Sequence, residues 1–425
     1  MNRKRLPATI RALALLLGTT LPVAVMAQDL LIRNATVHTV TERGTLQRTD
    51  VLVRGGRIAA VGNGLATAGA TVVEANGRPL TPGLFGGITA LGTIEVSLEP
   101  STVDNAPPGG GGAAHAPGEL RPEFETMLAY NPDSAVIGVN RVEGVTFAMV
   151  APSASPGATV IAGQGAVARL DGRADATLPA SGTLFADLGS GSSAAGVGRA
   201  AQFMLLEQAA REAKPGAAMR DGDFRLLTVT GREVLARYLN GGRIAFAVDR
   251  GVDIRQVLAF AQQQGARAVV IGGAQAWQVA GPLAQARVPV VLDPLVGLPD
   301  SFDRIGATLE NAARLHKAGV RIAFTNLNDG THNARKVRQA AGVAVAHGLP
   351  WDAALAALTT NPAEIFGLGN EFGRIAPGYV ADLVLWSGDP FEVTTVAEQV
   401  WIDGRAQPMR SRQTELRDRY RPGAR

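Results

Sequence analysis

The chain contains no cysteine among its 425 residues. This absence excludes disulfide bonds, thiolate chemistry, cysteine-ligated zinc and lipid attachment at a lipobox cysteine. Histidine and lysine are also rare, with five and four residues respectively. A metal or catalytic site that needs several imidazole or amino groups therefore has few side chains to draw on.

Residues 1–27 have the features of a cleavable secretory signal. A basic start precedes a mostly apolar run from Ala12 to Ala24, and the small residues around Ala27 suit a signal peptidase. A membrane anchor would need a longer run, and this one is short and interrupted by Gly18 and Pro22. We therefore expect export to the periplasm, with no membrane attachment after cleavage. The basic residues of the start are Arg3, Lys4, Arg5 and Arg11.

The excess of positive charge belongs to this leader. It holds four of the 41 basic residues and no acidic residue, so the remaining 37 balance the 37 acidic residues. A formally neutral mature chain lacks the overall positive charge that typically accompanies nucleic-acid binding. We therefore expect no nucleic-acid partner.

Short apolar runs with strand character mark both ends of the mature chain. They lie within residues 28–80, where glycine turns separate them, and again within residues 373–410. Each set is too small to close a core alone. We therefore predict one small β-sandwich domain built from both chain ends, followed by an arginine-rich tail at residues 411–425.

Between residues 81 and 372, strand patterns alternate with helix patterns. Four helix-then-strand units follow one another from Arg232 to Phe324, and further strand-like runs precede them. Such repetition predicts an α/β fold with a parallel sheet and right-handed crossovers, here a (β/α)8 TIM-like barrel. No G-x-G-x-x-G turn joins a strand to a helix, which argues against a dinucleotide-binding fold.

The stretch from residue 80 to 92 combines a Pro-Gly turn with an apolar run that ends in small residues. It resembles the first barrel strand of the amidohydrolase superfamily, T-P-G-L-I-D-x-H-x-H-L-G. Residues 50–62 and 377–390 are similar to strand motifs of the same family. The resemblance implies an imidazolonepropionase-like hydrolase that acts on non-peptide carbon–nitrogen bonds through one or two divalent metal ions. The matching residues are Thr81, Pro82, Gly83, Leu84, Leu91 and Gly92.

The metal ligands that the resemblance implies are missing in this chain. The H-x-H pair of the first strand, the histidines of the fifth and sixth strands and the aspartate of the eighth strand fall on other residue types. Those positions are Ile88, Ala90, Ala247, Gly272 and either Asn326 or Leu327. Asp329 could serve only if the alignment is shifted. Among the histidines, His332 is the one placed to approach the pocket, and His115 lies in a glycine-rich loop. We therefore expect no metal and no other cofactor.

Polar residues near the barrel strands are the remaining candidates, because reactive groups lie at the carboxyl ends of barrel strands. Asp249, Asp293 and Glu143 are candidate acid–base residues. One interpretation is a network of hydrogen bonds and ion pairs that closes the top of the barrel. The other is a binding site in which an arginine holds a carboxylate. The candidate substrate-binding residues are Thr89, Asn140, Arg141, Arg250 and Asn326.

Two functions remain open at this point. The first is a periplasmic hydrolase of non-peptide carbon–nitrogen bonds with a degenerate metal site. The second is a catalytically inactive relative that binds a small molecule or serves as a partner subunit, as a homo-oligomer or paired with an active relative. The resemblance favours the first, whereas the missing ligands favour the second, because a zinc site needs about three protein ligands.

The segment from Pro100 to Gly118 is rich in proline, glycine and alanine. Such a composition buries too little apolar surface to order itself, and its place after the first barrel strand puts it over the carboxyl-end mouth. We predict that limited proteolysis of the folded protein cuts first within this segment, as read by mass spectrometry. Protection of the whole segment while other loops are cut would contradict the prediction.

Overall fold

The computed structural model describes residues 29–67, 69–107, 120–153, 160–190, 198–216, 225–327 and 331–421. The expected leader and residues 108–118 of the proline- and glycine-rich segment lie outside these ranges. In the part of the chain that is described, none of the helices has the length and apolar character that a membrane crossing requires. In chain order the elements are β1 (Leu30–His38), β2 (Thr45–Arg54), β3 (Arg57–Gly62), β4 (Thr71–Glu74), β5 (Pro79–Pro82), β6 (Leu84–Thr89), α1 (Ala135–Arg141), β7 (Val145–Val150), β8 (Ile161–Arg169), β9 (Thr177–Asp187), α2 (Arg199–Glu212), α3 (Val229–Leu239), β10 (Arg243–Val248), α4 (Gly251–Gln264), β11 (Arg267–Gly272), α5 (Ala280–Gln285), β12 (Val290–Leu292), α6 (Asn311–Lys317), β13 (Ile322–Phe324), α7 (Val337–Ala346), α8 (Trp351–Leu358), α9 (Thr360–Ile365), β14 (Leu383–Trp386), β15 (Ala397–Ile402), β16 (Arg405–Ala406) and α10 (Arg412–Tyr420).

The two chain ends meet in one eight-stranded sheet. Its hydrogen-bonded order is β16-β15-β14-β5-β1-β2-β3, with β4 added beside β1. β14 runs antiparallel to β5, so that Leu385 pairs with Leu80. A bridge between Arg57 and Val380 brings β3 back to the segment before β14. In place of two facing sheets, the strands of both chain ends form one hydrogen-bonded sheet whose pairing is continuous from β16 to β3.

The strands of this sheet lie close to the ranges predicted for the terminal domain, residues 28–80 and 373–410. Its separation from the barrel as a domain of its own stays a prediction. The expected tail contains a helix, α10, because Ser411 caps it. The Ser411 hydroxyl accepts from the backbone N–H of Thr414, and the Thr414 hydroxyl accepts from that of Ser411. Such a reciprocal cap satisfies amide groups that the first helical turn leaves unpaired.

A second eight-stranded sheet runs in the order β13-β12-β11-β10-β9-β8-β7-β6. Neighbours from β9 to β13 are parallel, and helices α2 to α6 lie between them in sequence. β6 and β7 are parallel as well. At the free edges, the backbone N–H of Ile88 donates to the Thr325 hydroxyl at 2.9 Å. The sheet is therefore nearly closed into a barrel.

Strand β8 departs from the expected (β/α)8 arrangement. It runs antiparallel to both of its neighbours, β7 and β9. Its two connections span residues 151–160 and 170–176, whereas a crossover to a parallel strand takes about a dozen residues or more. The chain therefore turns back on itself twice, and the sheet is mixed instead of wholly parallel.

The barrel sheet is buried on both faces. Its strands accordingly read as nearly continuous apolar runs, such as Val-Thr-Phe-Ala-Met-Val in β7, where all six residues are buried. Inside the sheet, Phe85 packs against Phe147 and against Phe366, with ring centroids 5.3 and 5.7 Å apart. Because Phe366 follows α9, the segment after that helix contributes to the interior of the barrel.

A single residue, Gly83, separates β5 of the terminal sheet from β6 of the barrel sheet. A Cβ at Gly83 would lie 2.1 Å from the Thr146 hydroxyl, so the junction has no room for a side chain. Trp386 is fully buried beside it and donates its indole N–H to the Thr81 hydroxyl at 2.9 Å. The Trp386 ring also lies against Gly144, where a Cβ would be 2.5 Å away.

A buried arginine ties α7 to the C-terminal strands. Arg338 donates through Nη1 to the carbonyls of Pro390 at 2.9 Å and Glu392 at 3.0 Å. Its Nη2 donates to the Thr395 carbonyl at 2.8 Å and to the Glu143 carboxylate at 3.3 Å. One guanidinium thus satisfies three carbonyl groups of the chain between β14 and β15.

We predict that Arg338→Met lowers the free energy of unfolding by about 3 kcal/mol, because the buried carbonyls and Glu143 lose their donor. Lys336→Met is the matched control, since Lys336 is exposed just before the same helix. It should change the free energy by no more than about 0.5 kcal/mol. Chemical denaturation followed by circular dichroism measures both variants, and equal stability would show that the arginine is not a structural tie.

Candidate functional site

The carboxyl ends of β9, β10 and β11 open onto a cavity of about 470 Å³. These strands are parallel neighbours, so the residues that follow them meet at one edge of the barrel. The loop after β12 covers the other side of the cavity. The polar residues that line it are Asp187, Ser190, Asp249, Asp300, Ser301, Asp303 and Arg304.

Asp249, which directly follows β10, is the best placed of the sequence candidates. One carboxylate oxygen accepts the N–H of Ala274 at 3.1 Å, and the other accepts Nε of Arg304 at 2.6 Å. Arg304 also donates to Asp300 at 3.0 Å. Burial acts to lower the pKa of Arg304, but the hydrogen bond and charge of Asp249 raise it. The guanidinium therefore stays charged and bridges two carboxylates at the rim.

A second arginine pairs with carboxylates beside the cavity. Arg199 forms an ion pair with Asp303 and lies 3.3 Å from Asp253. Asp303 also accepts from the backbone N–H and the hydroxyl of Ser190, both at 2.7 Å. Burial opposes ionisation of Asp303, yet the hydrogen bonds from Ser190 and the charge of Arg199 lower its pKa. Asp303 is therefore ionised at neutral pH.

The lining of this mouth cavity is acidic. Four aspartates and one arginine line it, which leaves a formal excess of three negative charges. Arg199 offsets part of this excess through Asp303 from outside the lining. Ionised carboxylates only accept hydrogen bonds, so the cavity suits a ligand that carries N–H groups or positive charge.

The positions where the family resemblance places metal ligands do not supply a set of ligands here. Ile88, Ala247 and Leu327 pack on the apolar interior of the barrel. At Gly272 a Cβ would lie 2.7 Å from an oxygen of Asp249, so this carboxylate fills the space that a ligand at Gly272 would need. Within the described ranges, no three histidine, aspartate or glutamate side chains converge as a metal site requires. These residues do not fit a divalent metal centre.

Three sequence candidates lie away from the cavity, which corrects the expectation that they belong to the mouth. Asn140, Arg141 and Glu143 precede β7, and residues before a strand lie near its amino end, opposite the carboxyl end where barrel sites form. Arg141 donates to the Leu170 carbonyl at 3.1 Å, and burial lowers the pKa of its guanidinium. Glu143 contacts Arg338.

Asn140 has a structural role instead. Its side-chain amide donates to the carbonyls of Val136 at 2.7 Å and Thr331 at 3.1 Å, and its oxygen accepts the N–H of Arg335 at 2.7 Å. The side chain is fully buried between α1 and the segment before α7. It therefore fastens these two segments and is not available to a substrate.

Asp293 follows β12 but turns towards the backbone. Its two oxygens accept the N–H groups of Leu295 at 2.9 Å and Leu327 at 3.1 Å. Burial raises the pKa of its carboxyl group, against the effect of these two hydrogen bonds. Asp293 thereby holds the chain after β13 next to the chain after β12, as expected for a network that closes the barrel.

The remaining candidates also have partners within the protein. The Thr89 hydroxyl donates to the Met149 carbonyl at 3.3 Å. Arg250 lies 3.6 Å from Asp253, and Asn326 donates to the Asn333 carbonyl at 3.3 Å. None of these three side chains lines the mouth cavity.

Sequence reasoning missed most of the residues that form the cavity. Asp187 ends β9, and the run Thr-Leu-Phe-Ala before it was a usable strand signal. Asp300, Asp303 and Arg304 lie in the long loop after β12. No local pattern indicates the direction in which such a loop folds, so the sequence carried no signal for these three residues.

Comparisons with known proteins agree with this architecture. Residues 280–406 match the amidohydrolase family. The amidohydrolase tasK of Hapsidospora irregularis is 47% identical over 75 residues, which is 18% of this chain and 8% of that protein. An imidazolonepropionase of Chromobacterium violaceum is 43% identical over 75 residues, 17% of this chain and 18% of the relative. The crystal structure of an amidohydrolase from Thermotoga maritima is 27% identical with a TM-score of 0.76, covering 89% of this chain and 99% of that one.

These similarities all point to the amidohydrolase superfamily: its family model matches residues 280–406, and the fold of the Thermotoga maritima amidohydrolase extends over 89% of the chain. The matched segments span less than a quarter of each of these curated relatives. Their sequence similarity therefore bears on the family. The activity and the substrate depend on the side chains of this chain's own site.

We predict that the natively purified protein holds no stoichiometric zinc, iron or manganese. At the ligand positions that the resemblance implies, Ile88, Ala90 and Ala247 supply only aliphatic side chains and Gly272 supplies none. Zinc needs donors that converge at about 2.0–2.3 Å. Elemental analysis of protein purified without chelator measures the content. One metal ion per chain that is lost in Asp249→Asn or Asp293→Asn would show that unexpected ligands have replaced the usual ones.

Proposed function

We propose that this chain is an exported amidohydrolase-family protein that binds a small cationic or N–H-rich compound at the barrel mouth without metal-dependent hydrolysis. The observation that carries the proposal is the position of Asp249. Its carboxylate fills the space next to Gly272 where the family places a metal ligand. The same carboxylate forms part of the acidic lining.

Size and charge support the ligand class. A cavity of about 470 Å³ is within the range of small-molecule sites. The carboxylates that line it accept hydrogen bonds, whereas Arg304 is already shared between Asp249 and Asp300. An amine, guanidine or amide compound would gain charge-assisted hydrogen bonds at this rim.

Acid–base hydrolysis by the protein alone has little support in these contacts. Asp249 is held by Arg304 and by a backbone N–H, and Asp293 is occupied by two backbone N–H groups. Glu143 lies near the amino end of β7, away from the mouth, and contacts Arg338. A general base must reach the proton that it removes. Each of these three carboxylates instead contacts an arginine or a backbone N–H group of the protein.

The alternative is a hydrolase that acts on non-peptide carbon–nitrogen bonds. Membership in the amidohydrolase superfamily favours this function. It would require that Asp249 exchange its contact with Arg304 for a contact with substrate or a water molecule. Hydrolysis of cyclic amides by the purified protein would establish this alternative, and loss of that hydrolysis with a chelator would show that a metal takes part.

The proposed location is the periplasm. The support is the basic and apolar pattern of residues 1–27. Recovery of the processed protein in a periplasmic extract, with its new amino terminus read by mass spectrometry, tests this part of the proposal.

We predict that Asp249→Asn weakens binding of a cationic ligand such as agmatine by about tenfold, because it removes a charged acceptor from the cavity. Asp300→Asn should weaken it in the same direction. Asp418→Asn is the control, since Asp418 is an exposed aspartate of α10. Isothermal titration measures the affinity for a cation, a neutral compound and an anion, with agmatine, a neutral cyclic amide and succinate as the ligands.

The expected order of affinity is agmatine, then the neutral amide, then succinate. Preferential binding of succinate, or equal affinity of the Asp249 and Asp418 variants for agmatine, would refute the ligand class. Turnover of any of the three compounds would refute the absence of catalysis.

A further inference from the structure

A second cavity, larger than the one at the mouth, lies at the other end of the barrel. It measures about 890 Å³ and opens where β10, β11, β12 and β13 begin. Four arginines line it, namely Arg243, Arg267, Arg287 and Arg321, together with one acidic residue, Glu364. The lining therefore carries a formal excess of three positive charges, opposite in sign to that of the mouth.

The parallel strands create this concentration of charge. Arg243 and Arg267 are the first residues of β10 and β11, and they are paired in register. Arg321 directly precedes β13, and Arg287 lies in the turn before β12. Parallel neighbours bring their amino ends to the same edge, so four arginines far apart in sequence meet around one space.

Arg243 is the buried member of the group. Its residue is 5% exposed. Nη1 donates to the carbonyls of Ser181 and Gly182, each at 3.2 Å. Burial, with a further contribution from the nearby charge of Arg267, lowers the pKa of Arg243 to about 10. It remains charged at neutral pH, and within the described part of the chain it has no carboxylate partner.

The second nitrogen of Arg243 lies next to a glycine. A Cβ at Gly367 would be 2.8 Å from Nη2, so any larger residue would crowd the guanidinium. The carbonyl groups of Ser181 and Gly182 hold Nη1 of Arg243 in place. They do not neutralise its positive charge, because a carbonyl group carries no net negative charge. An anion that entered the cavity would supply this negative charge.

The other arginines are unevenly neutralised. Glu364 forms ion pairs with Arg321 at 2.9 Å and with Arg374. Its single charge is thus shared by two guanidinium groups. Arg267 donates to the Gly241 carbonyl at 2.7 Å, and neither Arg267 nor Arg287 forms an ion pair with a described residue. Both are exposed at the rim, where they can reach a ligand.

We propose that this basal cavity is a binding site for a small soluble polyanion, a compound with two or more phosphate or carboxylate groups. Arg243 forms the fixed floor of the site, and Arg267 and Arg287 close on the ligand from the rim. Guanidinium groups match the oxygens of phosphate and carboxylate in pairs. The cavity is separate from the mouth, so an anion bound here would not occupy the site proposed above.

The test uses the full processed protein and isothermal titration at about 50 mM salt, where surface charge is weakly screened. The probes are inorganic pyrophosphate, citrate and inorganic phosphate. Pyrophosphate and citrate should bind more tightly than phosphate because each offers more than one anionic group. The double variant Arg267→Gln, Arg287→Gln should weaken pyrophosphate binding by at least about tenfold.

The control is a second double variant, Arg211→Gln, Arg417→Gln, which changes the net charge equally at exposed positions outside the cavity. It should bind pyrophosphate with the affinity of the unchanged protein. Absence of saturable binding to all three probes, or equal loss in the two double variants, would overturn the proposal. Sedimentation velocity would overturn it too if this face were covered by a second copy of the chain and the rim variant dissociated that dimer.

Discussion

The passage of the chain through Gly83 is the constraint on which the rest of the structure depends. Because one residue separates β5 from β6, the orientation of the terminal sheet relative to the barrel is set within a few bonds. Thr146 of the barrel strand β7 packs against Gly83, and Trp386 of β14 donates to Thr81 of β5 beside it. Strands of both sheets therefore meet at this junction. The closure of the terminal sheet and the start of the barrel are thus parts of one packing arrangement.

The barrel carries opposite charge at its two ends. Aspartates line the cavity at the carboxyl ends of the parallel strands, and arginines line the cavity at their amino ends. The mouth of the barrel is therefore negatively charged and the opposite end is positively charged. The apolar interior between them contains Phe85, Phe147 and Phe366. The family resemblance implies a metal at the mouth, whereas in this structure Asp249, which follows β10, forms an ion pair with Arg304 there. Function must therefore be argued from the side chains that are present.

The site could be predicted only in part. Asp249 was accessible to sequence reasoning because it directly follows a clear strand. Glu143 and Arg141 precede β7 and so lie at its amino end, which in a barrel of parallel strands is opposite the mouth. Asp293 lies on the correct edge, yet its hydrogen bonds to Leu295 and Leu327 turn it away from the cavity. Side-chain direction of this kind depends on contacts that are distant in sequence.

The sequence by itself determined the superfamily resemblance and the alternating strands and helices from β10 to β13, because periodicity and residue type are local properties. The tertiary structure decided that β8 reverses, that the loop containing Asp300 and Arg304 folds over the mouth, and that Arg243, Arg267, Arg287 and Arg321 share one cavity. Strand direction and loop placement follow from the packing of the whole sheet, and no short segment carries enough information to fix them.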